Sequence, residues 1–387
     1  MSKYDFTKEE FDSRHAAVRR VMAAKNLSYL IVIAPANIQY LIGTRTKSYQ
    51  EFQCLLFPLD PSRPKVVLTR LAEVAEFSDL SLADEVYGWG GREPEDSIEA
   101  LQKVLNRHGY DDMYVGLEIP CYYLSVQDHA KIAALLEEKH VTDATSLIEE
   151  IKLVKSPAEI KMIRKTTEIA LETMQAATDA IRVGVSEREV AAEIYRNLLA
   201  RGGDLPASPV NFTSGERTCY GHGAPTDRRL QAGDYINLEF GAAYNRYCTT
   251  IGRQIVLGEP SARMVELYET VRRATDACIE MMHAGTPAVV PHRAAKKVIS
   301  DRGLDKYRVH TTGYGIAPGY PPSWGESIHM FEDSTYTLAP GMVLSVEPPV
   351  LIHEERLGAR LIDNVLIRDD GPEILTTFER GLIILPC

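Results

Sequence analysis

Leu230-Gln231-Ala232-Gly233-Asp234-Tyr235-Ile236-Asn237-Leu238-Glu239-Phe240-Gly241 decides how this chain is read. Tyr235 to Phe240 is strand-like, and Glu239 stands near the end of the apolar run. A carboxylate on an apolar strand is costly to bury alone, so it must be paired, ligated or functional. Leu338-Ala339-Pro340-Gly341-Met342-Val343-Leu344-Ser345-Val346-Glu347-Pro348 repeats the situation, with Val343 to Glu347 as the strand and Glu347 as the acid.

Two further segments flank these. Ser214-Gly215-Glu216-Arg217-Thr218 leads to His222-Gly223-Ala224-Pro225. Thr312-Gly313-Tyr314-Gly315-Ile316 leads to Tyr320-Pro321-Pro322-Ser323-Trp324-Gly325-Glu326. His222 follows a loop, and an imidazole there can act as acid or base near neutral pH. One histidine and two carboxylates form a minimal set for acid–base or nucleophilic hydrolysis. Taken singly, each also has a plain structural reading.

Outward from these segments the pattern is regular. Ser156-Pro157 fits an N-cap followed by proline at the first helical position, opening a helix from Ala158 to about Ile181. Ser186 with Glu189 is a capping box that opens a second helix. Arg253 to Leu257 and Leu361 to Ile367 read as strands, and Val265 to His283 and Pro291 to Arg302 as helices. Two helices then strands, twice over, predict a duplicated α+β unit. Before residue 150 the chain alternates. Thr7 caps a helix containing Phe11, Val18 and Met22. Strands follow at Tyr29–Ile33, Cys54–Phe57, Val66–Leu68 and Met113–Gly116, with a helix over Ala100–Leu105. That alternation indicates an α/β domain. The boundary is placed at about residue 155.

A length of 387 residues favours two domains, and 45% hydrophobic with 25% charged residues is globular composition. A net charge of −11 argues against nucleic acid or an anionic membrane surface as partner. The cysteines at 54, 121, 219, 248, 278 and 387 form no CxxC pair and read as free, buried thiols of a reducing compartment. MSKYDFTKEEF has no apolar signal core, and no apolar run reaches about 18 residues. A cytoplasmic protein is expected, with no membrane and no nucleic-acid partner.

The order and spacing of the four segments resemble the pita-bread (peptidase M24) family of methionine aminopeptidase, prolidase and creatinase. The resemblance implies an α+β fold: a creatinase-type α/β N-terminal domain over residues 1–154 and a pita-bread catalytic domain over 155–387. The family's metallopeptidases hold two metal ions with Asp, Asp, His, Glu and Glu. Position by position these fall on Glu239, Thr250, Tyr314, Glu347 and Ile362. Three of five donors are replaced, so the resemblance implies that no catalytic metal and no other cofactor is bound. His222 matches the family's histidine that touches the scissile group without binding metal.

Within the family this pattern is similar to the metal-free creatinase and ectoine hydrolase branch. Arg246-Tyr247, the 320–326 run and Gln53-Cys54 carry the likeness to ectoine hydrolase, whereas Gly252 departs from creatinase and Val346-Glu347-Pro348 from ectoine hydrolase. The implied activity is metal-independent hydrolysis of a C–N bond in a small zwitterionic amidine, guanidino or lactam-type compound. Glu239 attacks or activates water, His222 protonates the leaving nitrogen, and Glu347 holds a cationic N–H edge, with one carboxylate raising the other's pKa. Trp324 and Tyr320 stack on a planar cation, and Glu326 is a second acceptor. Arg246, Arg253 and Arg360 are candidates to clamp a carboxylate; alternatively Arg360 pairs with Asp363 and Arg253 with Glu239. Tyr247 and Tyr314 donate hydrogen bonds where metals would sit. A homodimer is implied, in which a partner's Tyr49, Glu51 and Gln53 edge closes the site. Two alternatives stand beside this: an Xaa-Pro aminopeptidase or dipeptidase, and a non-catalytic binding protein.

Overall fold

The structure is a computed structural model that describes residues 2–45, 47–110, 113–120, 122–136 and 140–387. It separates into two compact units, Met1–Lys152 and Leu153–Cys387.

In the first unit the elements run α1 (Lys8–Ala24), β1 (Tyr29–Val32), α2 (Pro35–Ile42), β2 (Cys54–Pro58), β3 (Val66–Arg70), α3 (Val74–Leu80), β4 (Glu85–Trp89), α4 (Ser97–His108), β5 (Val115–Leu117), α5 (Val126–Leu136), β6 (Val141–Asp143) and α6 (Thr145–Lys152). The sheet order is β4-β3-β2-β1-β5-β6. Alternation sorts its side chains into two cores. Tyr29, Ile31, Cys54 and Leu56 pack with α4 and α5, while Leu30, Val32, Leu55 and Phe57 pack with α1, α2 and α6. Thr7 caps α1 through the Glu10 amide at 3.3 Å. The helix read over 100–105 is longer because Asp96 caps it and left-handed Gly109 closes it. The sequence reading lacks α2, whose residues are buried almost throughout and so carry no amphipathic period.

The second unit opens with α7 (Pro157–Ala180) and α8 (Glu187–Ala200), each behind a complete capping box at Ser156 and Ser186. β7 (Asn211–Ser214), β8 (Tyr235–Tyr244) and β9 (Tyr247–Leu257) follow, then α9 (Ala262–Glu280) and α10 (Val289–Ser300). The chain finishes with β10 (Gly313–Tyr320), β11 (Ser323–His329), β12 (Val343–Val346), β13 (Val350–Ile352), β14 (Leu357–Ala359), β15 (Asp363–Arg368), β16 (Gly371–Ile374) and β17 (Ile383–Leu385). The main sheet runs β16-β15-β12-β10-β9-β8-β7, with β11 beside β10 and β17 beside β9. Its convex side is apolar: Ile236, Leu238 and Phe240 meet α7 and α8, and Leu344, Val346 and Val365 meet α9 and α10. The opposite parity, Asn237, Glu239, Ser345, Glu347 and Asn364, shares the other face. The α+β, pita-bread architecture is thus the one expected.

The sequence reading assigns no strand at β10 or β11, whose glycines and prolines disfavour one. Pairing overrides this: Gly313 to Gly315 register with Leu344 to Val346 of β12, and Pro318 with Tyr247 of β9. Gly241 is needed on β8, since a Cβ there would lie 2.6 Å from the Trp324 ring.

Cys54, Cys219, Cys248 and Cys278 are buried free thiols and Cys387 is exposed; Cys121 lies outside the described residues. Among the described residues no helix is long and apolar enough to cross a membrane.

Beneath the sheet, Arg253 and Asp363 form a fully buried ion pair at 3.0 Å. Arg253 also donates to the carbonyls of Ile362, Thr376 and Phe378, and Arg380 donates to the second Asp363 oxygen at 2.7 Å. Removing one partner strands a buried charge. Asp363→Ala is therefore expected to lower stability by about 3–5 kcal/mol, whereas Arg164→Ala, which breaks a part-exposed pair with Glu373, should cost no more than about 1 kcal/mol. Urea unfolding followed by circular dichroism reads both.

Candidate active site

Glu347 follows β12 and is 4% exposed. Burial raises its pKa to about 8, although Ser345 and Tyr314 hydroxyls hydrogen-bond to it and oppose the shift. At neutral pH it is a carboxylic acid, so it cannot hold a cationic N–H edge as a carboxylate. The cause is desolvation and not the second glutamate, which corrects the expectation that the two acids perturb each other.

His222 lies in the loop before β8, with its ring 5.5 Å from that of His310. Burial, then the Arg360 charge, then His310 lower its pKa below the ordinary 6.5. It is neutral at pH 7 and suited to accept a proton. The acid role expected of His222 therefore suits Glu347 instead, and His222 suits the role of base. His310 was given no role, yet its Nδ1 lies 3.4 Å from the Glu347 carboxyl and completes the row His222–His310–Glu347. The available signal was its position four residues before Tyr314.

Glu239 on β8 is buried at 6% exposure and paired with the Arg360 guanidinium, which also donates to the Gly221 carbonyl. Burial presses the Arg360 pKa down to about 10, so the cation persists at neutral pH. A carboxylate held this way is a poor nucleophile, which corrects the role assigned to Glu239. The expected alternative pairings were also wrong, since Asp363 belongs to Arg253 and Arg380.

The five positions at which the resemblance implies metal ligands do not form a metal site. Glu239 is engaged by Arg360. Thr250 Oγ1 donates to Ser345 Oγ at 3.1 Å and accepts from Asn364 Nδ2 at 2.8 Å. Ser345 Oγ donates to Glu347 at 3.1 Å. Tyr314, whose pKa burial drives well above 10, hydrogen-bonds to Glu347 and accepts from Trp324 Nε1 at 3.0 Å. Ile362 packs on Gly252, where an added Cβ would lie 2.7 Å from it. Hydrogen-bond donors converge on Glu347 where anionic donors would be needed. Among the described residues no group of three or more His, Cys, Asp or Glu side chains is placed to hold a metal ion. The residues present do not fit a dinuclear centre.

Other expected residues lie elsewhere. Tyr247 points toward α7, its hydroxyl donating to Glu159 at 2.9 Å. Arg246 sits in the β8–β9 turn, its guanidinium 4.9 Å above the Tyr320 ring. Trp324 is buried against Gly241 and orients Tyr314 instead of stacking on a ligand. Glu326 forms a buried ion pair with Lys155. Tyr49 belongs to the N-terminal unit, where its ring meets Tyr123 edge-on at 5.9 Å. Parity explains Tyr247, which alternates away from the Glu239 face, and Arg246 lies in the turn before it.

Two spaces lie in this unit. A small, partly open cavity is bounded by Asn237, Glu239, Arg360, Gly221 and Gly223. An open cleft of about 610 Å³ is bounded by His310, His329, His292, Lys296, Arg308 and Phe331.

Residues 161–369 match the metallopeptidase family M24, and residues 14–154 match the creatinase/prolidase N-terminal domain. The Xaa-Pro dipeptidase of Pyrococcus furiosus is 32% identical over 293 residues, 74% of this chain and 82% of the relative. The Xaa-Pro dipeptidase of Pyrococcus horikoshii is 32% identical over 269 residues, 70% of this chain and 74% of the relative. The crystal structure of the prolidase from Pyrococcus horikoshii OT3 is similar with a TM-score of 0.84 at 25% identity, covering 96% of this chain and 100% of that one. These relatives overturn the expectation of a non-peptide C–N hydrolase acting on amidines, guanidines or lactams and favour the peptidase alternative. The geometry agrees with the correction: Glu239 is neutralised by Arg360, and Trp324 is not available to stack on a planar cation. By its sequence over more than half its length and by its fold, the chain belongs to metallopeptidase family M24.

Proposed function

We propose that the chain hydrolyses a peptide bond of the Xaa-Pro dipeptide type with protein groups in place of a dinuclear metal centre. The observation that carries this reading is the row His222–His310–Glu347: a neutral base and a neutral acid with the His310 ring between them. The kind of bond is supported by the naming of the relatives as Xaa-Pro dipeptidases. The metal-free branch is supported by the donor set, in which Thr250, Tyr314 and Ile362 stand at ligand positions. No step is routed through a metal.

Neutral His222 takes a proton from water as the water oxygen attacks the carbonyl carbon. The developing oxyanion meets the fixed charge of Arg360, which costs no reorganisation. The C–N bond then breaks. The leaving imino nitrogen carries no hydrogen in the peptide and needs a proton, which the Glu347 carboxylic acid supplies. The proton on His222 returns to Glu347 by way of His310, and the site is reset. Lys296 and Arg308, which line the cleft together with Glu332, are cations that can meet the carboxylate of a small zwitterionic dipeptide.

Ala-Pro hydrolysis should therefore persist after exhaustive dialysis against a chelator, with sub-stoichiometric metal in the active protein. Absence of turnover, or activity abolished by the chelator and restored by divalent ions, would overturn the reading. His222→Ala should reduce kcat/KM by about 10²–10⁴-fold.

The pH profile has a defined sign. The base works when deprotonated, so activity rises as pH passes the lowered His222 value, below 6.5. The acid works when protonated, so activity falls as pH passes about 8. Glu347→Gln should abolish most activity and remove the alkaline limb from whatever remains.

A further inference from the structure

Asn364 lies on β15 in register with Ser345 of β12 and is fully buried. Its Oδ1 accepts from the Thr250 backbone amide at 2.7 Å. A backbone N–H only donates, so this contact settles which end of the Asn364 amide is oxygen. Nδ2 must then donate to Thr250 Oγ1, at 2.8 Å. Thr250 accepts there and has its own hydrogen left for Ser345 Oγ, at 3.1 Å. Ser345, accepting from Thr250, passes its hydrogen to Glu347 Oε2, also at 3.1 Å. Thr250 and Ser345 are fully buried, so reversing the order would strand a hydroxyl hydrogen with no acceptor.

That polarity reaches the acid. Oε2 of Glu347 accepts from Ser345, so the proton of the neutral carboxyl group sits on Oε1. Oε1 is the oxygen on the His310 side, 3.4 Å from Nδ1. Nδ1 lies 3.2 Å from the Thr311 carbonyl, which only accepts, so Nδ1 carries a hydrogen and does not take the one on Oε1. A proton on Oε2 would instead point back into the sheet. Once Oε1–H breaks and the proton moves to the leaving nitrogen, the carboxylate keeps the Ser345 hydrogen bond, which strengthens as the charge forms. That gain belongs to the reacting state and not to binding.

We propose that Asn364 is a positioning residue for the acid: through Thr250 and Ser345 it fixes Glu347 Oε2 as an acceptor and keeps the transferable proton on Oε1, facing the row. The proposal rests on the reading of Glu347 as the acid of a peptide hydrolase.

Thr250→Val keeps the side-chain shape and removes the relay. Ser345 can then accept from Oε2–H, and the proton turns away from the row. For Ala-Pro, kcat should fall roughly 10-fold with KM changed by less than about 2-fold. Thr250→Ser, which keeps the hydroxyl, should restore kcat, and Asn364→Leu should resemble Thr250→Val. Infrared spectroscopy reads the proton without turnover. The carbonyl stretch of protonated Glu347, isolated as the difference between the wild type and Glu347→Gln, should move to higher frequency in Thr250→Val and return in Thr250→Ser, because the carbonyl oxygen loses and regains its donor. An unchanged stretch in folded Thr250→Val, or a loss of activity that Thr250→Ser fails to restore, would overturn the proposal. If Asn364→Leu does not fold, the two Thr250 variants decide. If the wild type cleaves no Ala-Pro, the peptide-hydrolase reading fails by itself, and the infrared shift still decides where the proton sits.

Discussion

Desolvation of one carboxyl group governs the chemistry available to this fold. Glu347 is buried at the end of β12, among hydroxyls and imidazoles and without a cation against it. A carboxylate in such a place is stable only if something compensates its charge. A metal ion would do so, and so would an arginine. Here the compensation is a proton. That choice turns a potential ligand into an acid near neutral pH. The hydroxyls of Ser345 and Tyr314 orient it without ionising it.

The opposite solution operates a few strands away. The resemblance implies an aspartate at position 239, and this chain has glutamate, one methylene longer. That carboxylate meets Arg360, whose charge survives burial. One buried acid is thus neutralised by protonation and the other by a guanidinium. Arg360 also acts on the histidine: burial, then its charge, holds His222 unprotonated. The cation that compensates Glu239 thus adds to the burial that keeps the base neutral, while desolvation at Glu347 keeps the acid protonated.

Much of this was legible in the residues and some was not. Glu239 and Glu347 stood out because a charged residue on an apolar strand has few explanations, and both are buried on one face of the sheet. The capping boxes at Ser156 and Ser186 and the cap at Thr7 form as read, since they depend only on neighbours in sequence. β10 and β11 escaped because their strand character comes from partners distant in sequence. Arg246 and Tyr247 were assigned to the site by proximity along the chain, but the β8–β9 turn and strand parity direct them elsewhere, while Trp324 is taken up by Gly241 and Tyr314. Protonation states escaped entirely, because burial and the position of Arg360 set them. His310 was missed for the same reason: its importance lies in a ring contact across the fold.

The hydrogen-bonded chain Asn364–Thr250–Ser345–Glu347–Tyr314–Trp324 also bears on history. A descendant could not recover a full set of anionic ligands one substitution at a time. Aspartate at 250 would add a charge beside a buried acid and break two hydrogen bonds. Histidine at 314 would leave the Trp324 indole without its acceptor. Glutamate at 362 would place a carboxylate where Ile362 packs on Gly252. Each step alone strands a buried polar or charged group, at a cost of several kcal/mol. The network thus opposes each of these substitutions taken singly.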